Sequence, residues 1–465
     1  MRYNILMLSR DKIQGLLEKF FDHTQVSSEP DTLRQYGQDW TTVYKPDPAA
    51  IVFPQSTQQI QDIVKLANEQ EFALVPSGGR TGYSGGAMAT QGEVVVSLEK
   101  MRQITALNET DRLLYCQAGC ALQTVQEHAL AHQLYYPIDI ASKGSCQIGG
   151  NIATNAGGNH VIRYGMTRQW VAGLTVVTGN GDVLKLNRAL VKDNTGYDLK
   201  QFFIGAEGTL GIISDAILHV TSPPANPQTM LLAIHDIEDA IKVLVAFEAK
   251  VPLLAFEFFD DNALDAVVSH HQLDAPFEKS ARYYLLIEYD NHSQTTEQAA
   301  LTAFESCFKN NTVQDGAISQ NESQRNTFWQ YREFISESLI DKQPFKCDVA
   351  VHPGKIPEFI HAAKKILASD KAHYKAVWFG HIGDGNIHLN ILNADHADEH
   401  LQKLIAKIYT LVINLKGSLS AEHGIGLLKK EYLGLIKTKE ELTLARNIKN
   451  VFDPNGICNP GKIFD

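Results

Sequence analysis

Trp378-Phe379-Gly380-His381-Ile382-Gly383-Asp384-Gly385-Asn386-Ile387-His388-Leu389-Asn390 sets two histidines among glycine-rich turns, and Ser420-Ala421-Glu422-His423-Gly424-Ile425-Gly426 follows further along. Imidazole and carboxylate together suit Zn²⁺ or Mn²⁺, and an open coordination position can hold a substrate. The set is large enough for a divalent cation and a separate base. The turn Gly383-Asp384-Gly385-Asn386 can fold His381 and His388 back toward each other. In a strand over Ile387 to Ile391, His388 and Asn390 share one face by the period of two. Glu422 and His423, as chain neighbours, are expected to diverge, so one can bind metal while the other faces a reacting atom. Any one of the 17 histidines is more often a core or surface residue than a ligand, and only the clustering reverses that balance. A metal-dependent hydrolase also fits these residues, although the absence of HExxH argues against a zincin protease.

A second kind of chemistry is written in glycine. Pro76-Ser77-Gly78-Gly79-Arg80-Thr81-Gly82-Tyr83-Ser84-Gly85-Gly86 follows an apolar strand and has one basic residue and no acid. Ser142 to Gly158 (SKGSCQIGGNIATNAGG) has one lysine and again no acid. In a chain of net charge -11, two such loops suit an anion held by successive backbone N–H groups. Neither matches Walker A or GxGxxG, which disfavours a P-loop nucleotidase or a Rossmann enzyme. Either loop alone can be a set of tight turns; two together point to a ligand.

Mixed helices and strands must position these segments. Ala50 to Phe53, Phe72 to Val75 and Val94 to Leu98 read as strands, and Thr57 to Gln70 as a helix with Thr57 as a possible cap. Leu174 to Leu186 reads as a hairpin turning at Gly179-Asn180-Gly181-Asp182. Of 33 glycines, 20 fall between Gly78 and Gly211, which marks that stretch as one loop-rich domain. The proline-rich Thr221 to Pro227 reads as a linker, followed by a strand (Met230 to Ile234) and a helix (Ile237 to Lys250). Phe328, Trp329, Ile335 and Leu339 suggest one partly buried helix. Three regions are expected: 1–222, 223–420 and 421–465.

The chain has 465 residues, 44% hydrophobic and 20% charged, as in a globular protein of two or three domains. Its acidity argues against nucleic acid and anionic lipid as partners. No apolar run is long enough to span a membrane. The N-terminal apolar patch in MRYNILMLSRDK is too short for a signal-peptide core. Six scattered cysteines without a CxxC pair fit a reduced, cytoplasmic protein.

The two loops, with Gly205-Ala206-Glu207-Gly208-Thr209-Leu210-Gly211-Ile212-Ile213, resemble the FAD-binding domain of the vanillyl-alcohol-oxidase superfamily, over roughly Pro46 to Ser222. HIGDGNIHLN and SAEHGIG resemble the C-terminal domain of the FAD-linked 2-hydroxyacid dehydrogenases, extending the likeness to Asn459-Pro460-Gly461-Lys462. Within that group the pattern is most similar to the D-2-hydroxyglutarate dehydrogenases. The resemblance implies an α+β protein: an FAD-binding domain behind an N-terminal helical segment, an α+β substrate and metal domain, and a C-terminal segment completing the active site. It implies that Pro76, Gly78, Gly79, Arg80, Thr81, Gly82, Ser84 and Gly85 wrap the FAD pyrophosphate. Asp139, Ser142, Gly149, Asn151 and Thr154 would line the dinucleotide and flavin, with Glu207 and Ile212 near the ring and adenine side and Asn459 completing the set. Some relatives attach flavin through a His or Cys in the first loop; Arg80 stands there instead, so a non-covalent flavin is expected.

By the same likeness His381, His388 and Glu422 are metal ligands, zinc before manganese, His423 is the base and Asn390 contacts substrate. Arg332 and Ser336, at i and i+4 of a helix, can face one ligand, and Lys346 follows in an apolar setting. Arginine grips a carboxylate bidentately and lysine adds a point charge. The resemblance implies that these three hold substrate carboxylates, with Ser336 where Thr is common; the alternative is a surface ion pair of Arg332 with Glu333 or Glu337. The implied reaction is oxidation of a D-2-hydroxy acid, most similar to D-2-hydroxyglutarate, with D-lactate or glycolate as the alternative. Electrons would pass to an electron-transfer flavoprotein, a quinone or a cytochrome, and a homodimer is the expected assembly.

Overall fold

Residues 8–41, 43–369, 374–392 and 398–464 are described by a computed structural model of the chain. The reading of the extreme N-terminus falls partly on residues 1–7, outside that set. The chain forms two compact units: Met1–Gly157, Met166–Pro223 and Glu422–Asp465 in the first, Gly158–Gly165 and Pro224–Ala421 in the second. The short excursion at 158–165 has no signature in composition or periodicity.

In unit one, Ile60, Ile63, Val64, Leu66 and Ala67 form the buried face of the helix Thr57–Gln70. Its cap is Ser56, whose hydroxyl accepts the Gln59 N–H, rather than Thr57. Thr57 is the first helical residue, and its hydroxyl instead reaches Ser214 and Asp215. Ala50–Val52, Val94–Ser97 and Leu74–Ser77 lie parallel, with Val26–Ser27 antiparallel at the edge. The carboxyl end of Leu74–Ser77 therefore leads straight into the first glycine loop, the usual place for a ligand in a parallel sheet. A second, antiparallel sheet runs Ile104–Asn108, Leu113–Gln117, Gly211–His219, Val171–Thr178, Val183–Leu186, its last pair joined at Gly179–Asp182. Both sheets and the helix share one apolar core. At about 1.5–3 kcal/mol per fully buried aliphatic side chain, this core dominates the unit's stability.

Unit two is built on seven antiparallel strands in the order Asp315–Ile318, Pro227–Ile234, Tyr283–Asp290, Leu253–Asp260, Ala376–Gly380, Asn386–Ile391, Phe345–Ala350. Strand alternation gives it two distinct faces. On one, Trp378 meets Phe359 of the helix Ile356–Ala368. On the other, Leu231, Phe259, Val377 and Phe379 pack with Leu264, Val267, Tyr331 and Ile335. The expected single helix at Phe328 to Leu339 is two: Glu322–Glu333 and Ile335–Ser338, parted at Phe334.

Candidate active site

Register on the second face of the seven-stranded sheet decides what meets. Asp348 stands opposite His388, and Lys346 opposite Asn390. From the other side Phe379 is opposite His388. His388 Nδ1 lies 3.7 Å from Asp348 Oδ1, which also accepts from Asn386 Nδ2 at 2.8 Å. Gly385 makes the turn between the histidines possible: its φ is +94°, and a Cβ would fall 2.1 Å from Val351 O. The turn brings the His381 and His388 rings to 5.4 Å between centroids.

Behind His381 sits an acid that composition did not single out. Glu257, wholly buried, lies with Oε1 2.8 Å from His381 Nδ1, while Oε2 accepts from Arg332 Nε at 2.9 Å. Arg332 is buried over the Phe379 ring, so neither the neighbouring Glu333 nor Glu337 is its partner. Ser336 follows on the separate short helix, half-buried. Asn390 is buried and its Nδ2 has no protein partner. Burial pulls the half-buried Lys346 ammonium down to about 8. A further acid on this face, Glu288, accepts from Trp329 Nε1 at 3.0 Å and contacts His160 Nε2 at 3.2 Å. Burial pushes its carboxyl up, but these bonds outweigh it and hold it below the usual range. Glu257 and Asp348 each sit inside a largely apolar strand, Leu253–Asp260 and Phe345–Ala350, and an acid within such a run was the available signal.

Unit one holds the other half of the expected residues. Arg80, at φ +59°, donates to Gly78 O and lies over the Tyr36 ring. Thr81 lies between these turns and Gly82, whose carbonyl accepts from Trp40 N. The loop is free of acids in sequence, yet the fold lays Asp39 beside it; burial lifts that carboxyl to about 6 against N–H groups of Thr41, Gly85 and Ala87. Gly79 has no room for a side chain, with Ser145 O at 2.0 Å from a built Cβ, so the two glycine loops touch. In the second loop Asp139 pairs with Lys143 at 2.8 Å, and Ser142 O accepts from Ser145 and Cys146 N–H. Gly149 lies against Ala118, Thr154 donates to Gly150 O, and Asn151 is buried. Ile212 is 1% exposed within the apolar core.

The segment after Glu422 is docked on the first loop. Ser84 O accepts from Leu427 and Leu428 N–H, and the Tyr83 ring lies 5.2 Å from His423. Glu422 and His423 do not diverge as expected: Glu422 Oε1 lies 3.8 Å from His423 Nε2. Glu207 and Asn459 are also engaged by protein. Asn459 Nδ2 donates to Gly86 O and Glu207 O, while Glu207 accepts from Ile425 and Gly426 N–H.

FAD fits this unit. Ser77 Oγ, Gln147 Oε1 and Asn459 Oδ1 are buried around the two loops without protein partners, polar atoms that a dinucleotide can satisfy. In unit two, Asp348 and His388 offer a carboxylate oxygen and an imidazole nitrogen within 4.8 Å of each other, the donor chemistry of a divalent-metal site, and His381, its ring held by Glu257, stands beside His388.

Comparison with known proteins agrees with this geometry. Residues 48–187 match the FAD binding domain family, and 223–463 match the C-terminal domain of FAD linked oxidases. The chain is 47% identical over 459 residues to a D-2-hydroxyglutarate dehydrogenase of Stutzerimonas stutzeri, covering 98% of each chain. It is 46% identical to one of Xanthomonas citri, covering 95% of this chain and 94% of that one. Among solved structures, p-cresol methylhydroxylase with bound substrate superposes with a TM-score of 0.76 at 15% identity, covering 99% and 98% of the two chains. That likeness fixes the fold alone. Two glycine loops, an FAD-compatible unit and full-length relatives together place the chain in the FAD linked oxidase family, beside the D-2-hydroxyglutarate dehydrogenases.

Proposed function

We propose that this enzyme oxidises D-2-hydroxyglutarate to 2-oxoglutarate with non-covalent FAD and a divalent metal. The observation that carries the substrate is the row Lys346–Asn390 on the sheet face that also bears His388 and Phe379, with Arg332 over Phe379. A dicarboxylate costs several kcal/mol to desolvate unless cations meet it. Arg332 and Lys346 supply that charge, and Asn390 and Ser336 supply neutral hydrogen bonds. The full-length relatives carry the name of the same activity.

His381, His388 and Glu422 hold the metal in this reading, and zinc suits imidazole and carboxylate ligands better than manganese. A metal bound there supplies Lewis acidity that lowers the pKa of the 2-hydroxyl. FAD, when bound, supplies the acceptor for the hydride of C2. His423 takes the hydroxyl proton, and the carboxylate contacts hold C2 in one orientation while it does so. Electrons then leave to an external carrier, an electron-transfer flavoprotein, a quinone or a cytochrome. A reducing compartment such as the cytoplasm suits six cysteines that are all unpaired.

One observation favours a monoacid instead. Glu257 already neutralises Arg332, which leaves Lys346 as the main charge for a distal carboxylate. Anaerobic mixing of the yellow protein with D-2-hydroxyglutarate, its L-isomer, D-lactate and glycolate separates the readings. Rapid bleaching of flavin absorbance by D-2-hydroxyglutarate, at least tenfold above D-lactate, is expected. Equal rates for the two acids transfer the assignment to the lactate reading.

A further inference from the structure

Glu207 lies in the turn before the strand Gly211–His219, 8% exposed and at φ +50°. Its backbone is fixed at both ends: the N–H donates to Ala153 O at 2.8 Å, and the carbonyl accepts from Asn459 Nδ2 at 2.7 Å. The side chain then reaches into the segment that follows His423. Oε1 accepts the Ile425 N–H at 2.7 Å, and Oε2 accepts the Gly426 N–H at 2.8 Å. Two successive amides thus close on one carboxylate, the arrangement of an anion-binding nest.

Two glycines permit this packing, Gly424 just before the amides and Gly426, which supplies one of them. Gly424 has φ +81°, and a Cβ on it would lie 2.9 Å from Glu207 Cδ. Gly426 has φ +51°, and a Cβ there would lie 2.2 Å from Ser84 O. The backbone after His423 is therefore wrapped on Glu207 from one side and on Ser84 from the other. Burial pushes the Glu207 carboxyl up, opposed by the two amides and by the Lys429 charge. Sequence resemblance offered Glu207 as a flavin contact, but its two oxygens are spent on the protein's own chain.

We infer that Glu207 is the positioning residue for His423, setting the direction of the imidazole through the Ile425 and Gly426 amides. The inference rests on reading His423 as the base. Glu207→Gln keeps the shape but turns one oxygen into an NH₂ facing an N–H donor, so one of the two bonds is lost. A base displaced by about 1 Å can lose 10²-fold in rate.

The test measures flavin reduction by D-2-hydroxyglutarate in single turnover for the wild type, Glu207→Gln, His423→Asn and the double variant. FAD affinity, melting temperature and amide hydrogen exchange at residues 424–427 are followed in each. Expected results are a 10- to 100-fold slower reduction in Glu207→Gln, FAD affinity within threefold of wild type, and at least tenfold faster exchange at Ile425 and Gly426. In the His423→Asn background the second change is expected to cost less than threefold. Loss of FAD assigns Glu207 to the cofactor and overturns the inference, as does wild-type reduction or unchanged exchange in Glu207→Gln. A further tenfold loss in the double variant gives Glu207 a role independent of His423 and overturns it too. If His423→Asn alone reduces flavin at the wild-type rate, the base assignment itself has failed, and the inference falls with it.

Discussion

Glu257 Oε1 lies 2.8 Å from His381 Nδ1, and this contact decides which nitrogen of the ring can bind a cation. A buried carboxylate takes a proton-bearing nitrogen, so the lone pair sits on Nε2. Replacing Glu257 by Gln frees the ring to choose either tautomer and leaves Arg332 without its counter-charge. Metal affinity, read by competition with a chelator, should fall by about 10- to 100-fold. Unchanged affinity would remove His381 from the ligand set.

His423→Asn keeps the size of the side chain and removes its basic nitrogen. Flavin reduction should slow by about 10² to 10⁴ while flavin and metal stay bound. Stopped-flow bleaching at 450 nm, the flavin band, reads this directly, and intact kinetics would exclude His423 as the base.

Lys346 gives the substrate preference a pH signature. Its folded-state value of about 8 lies below the ordinary 10.5, because burial disfavours the ammonium. Below about pH 8 it is charged in folded and unfolded chains alike, and the full burial penalty is present. Between the two values the unfolded chain binds more protons, so stability should rise with pH across that window. Affinity for D-2-hydroxyglutarate should move the other way, its KM rising as the charge is lost above pH 8 while that for D-lactate changes little. Lys346→Met should flatten both trends; a KM for the diacid that still climbs in this variant assigns the effect elsewhere.

Asn459→Ala strips the donor that serves Gly86 O and Glu207 O. Each buried carbonyl left without a partner costs about 1–3 kcal/mol. Alanine is also less at ease than asparagine at the φ of +45° found there. A clear fall in melting temperature with weaker FAD binding is expected, and an unaltered melting curve would show that water replaces the amide at no cost.

Much of this site was legible because it is local. Glycines around His381 and His388 announced a turn, and alternation put His388 with Asn390. What could not be read was partnership across distance. Arg332 finds Glu257, 75 residues away, instead of the acids beside it, since strand order and not spacing brings them together. Asp348 meets His388 only through the register of two strands, a one-residue slip of which would turn Asp348 to the other face. Glu207 was visible as a motif, but its partner amides belong to residues more than 200 positions later. The break at Phe334 was hidden because apolar spacing continues across it.

The excursion of residues 158–165 bears on how this enzyme can be taken apart. A fragment spanning only 224–421 would carry the seven strands but not His160, whose ring faces the buried Glu288. It would also lack Ile162, which packs beside Gly383 in the turn between the two histidines. Such a fragment would expose an acid and an apolar notch at the very place where its donors must stay ordered. Swapping substrate domains between relatives therefore requires moving the eight-residue visitor together with its host.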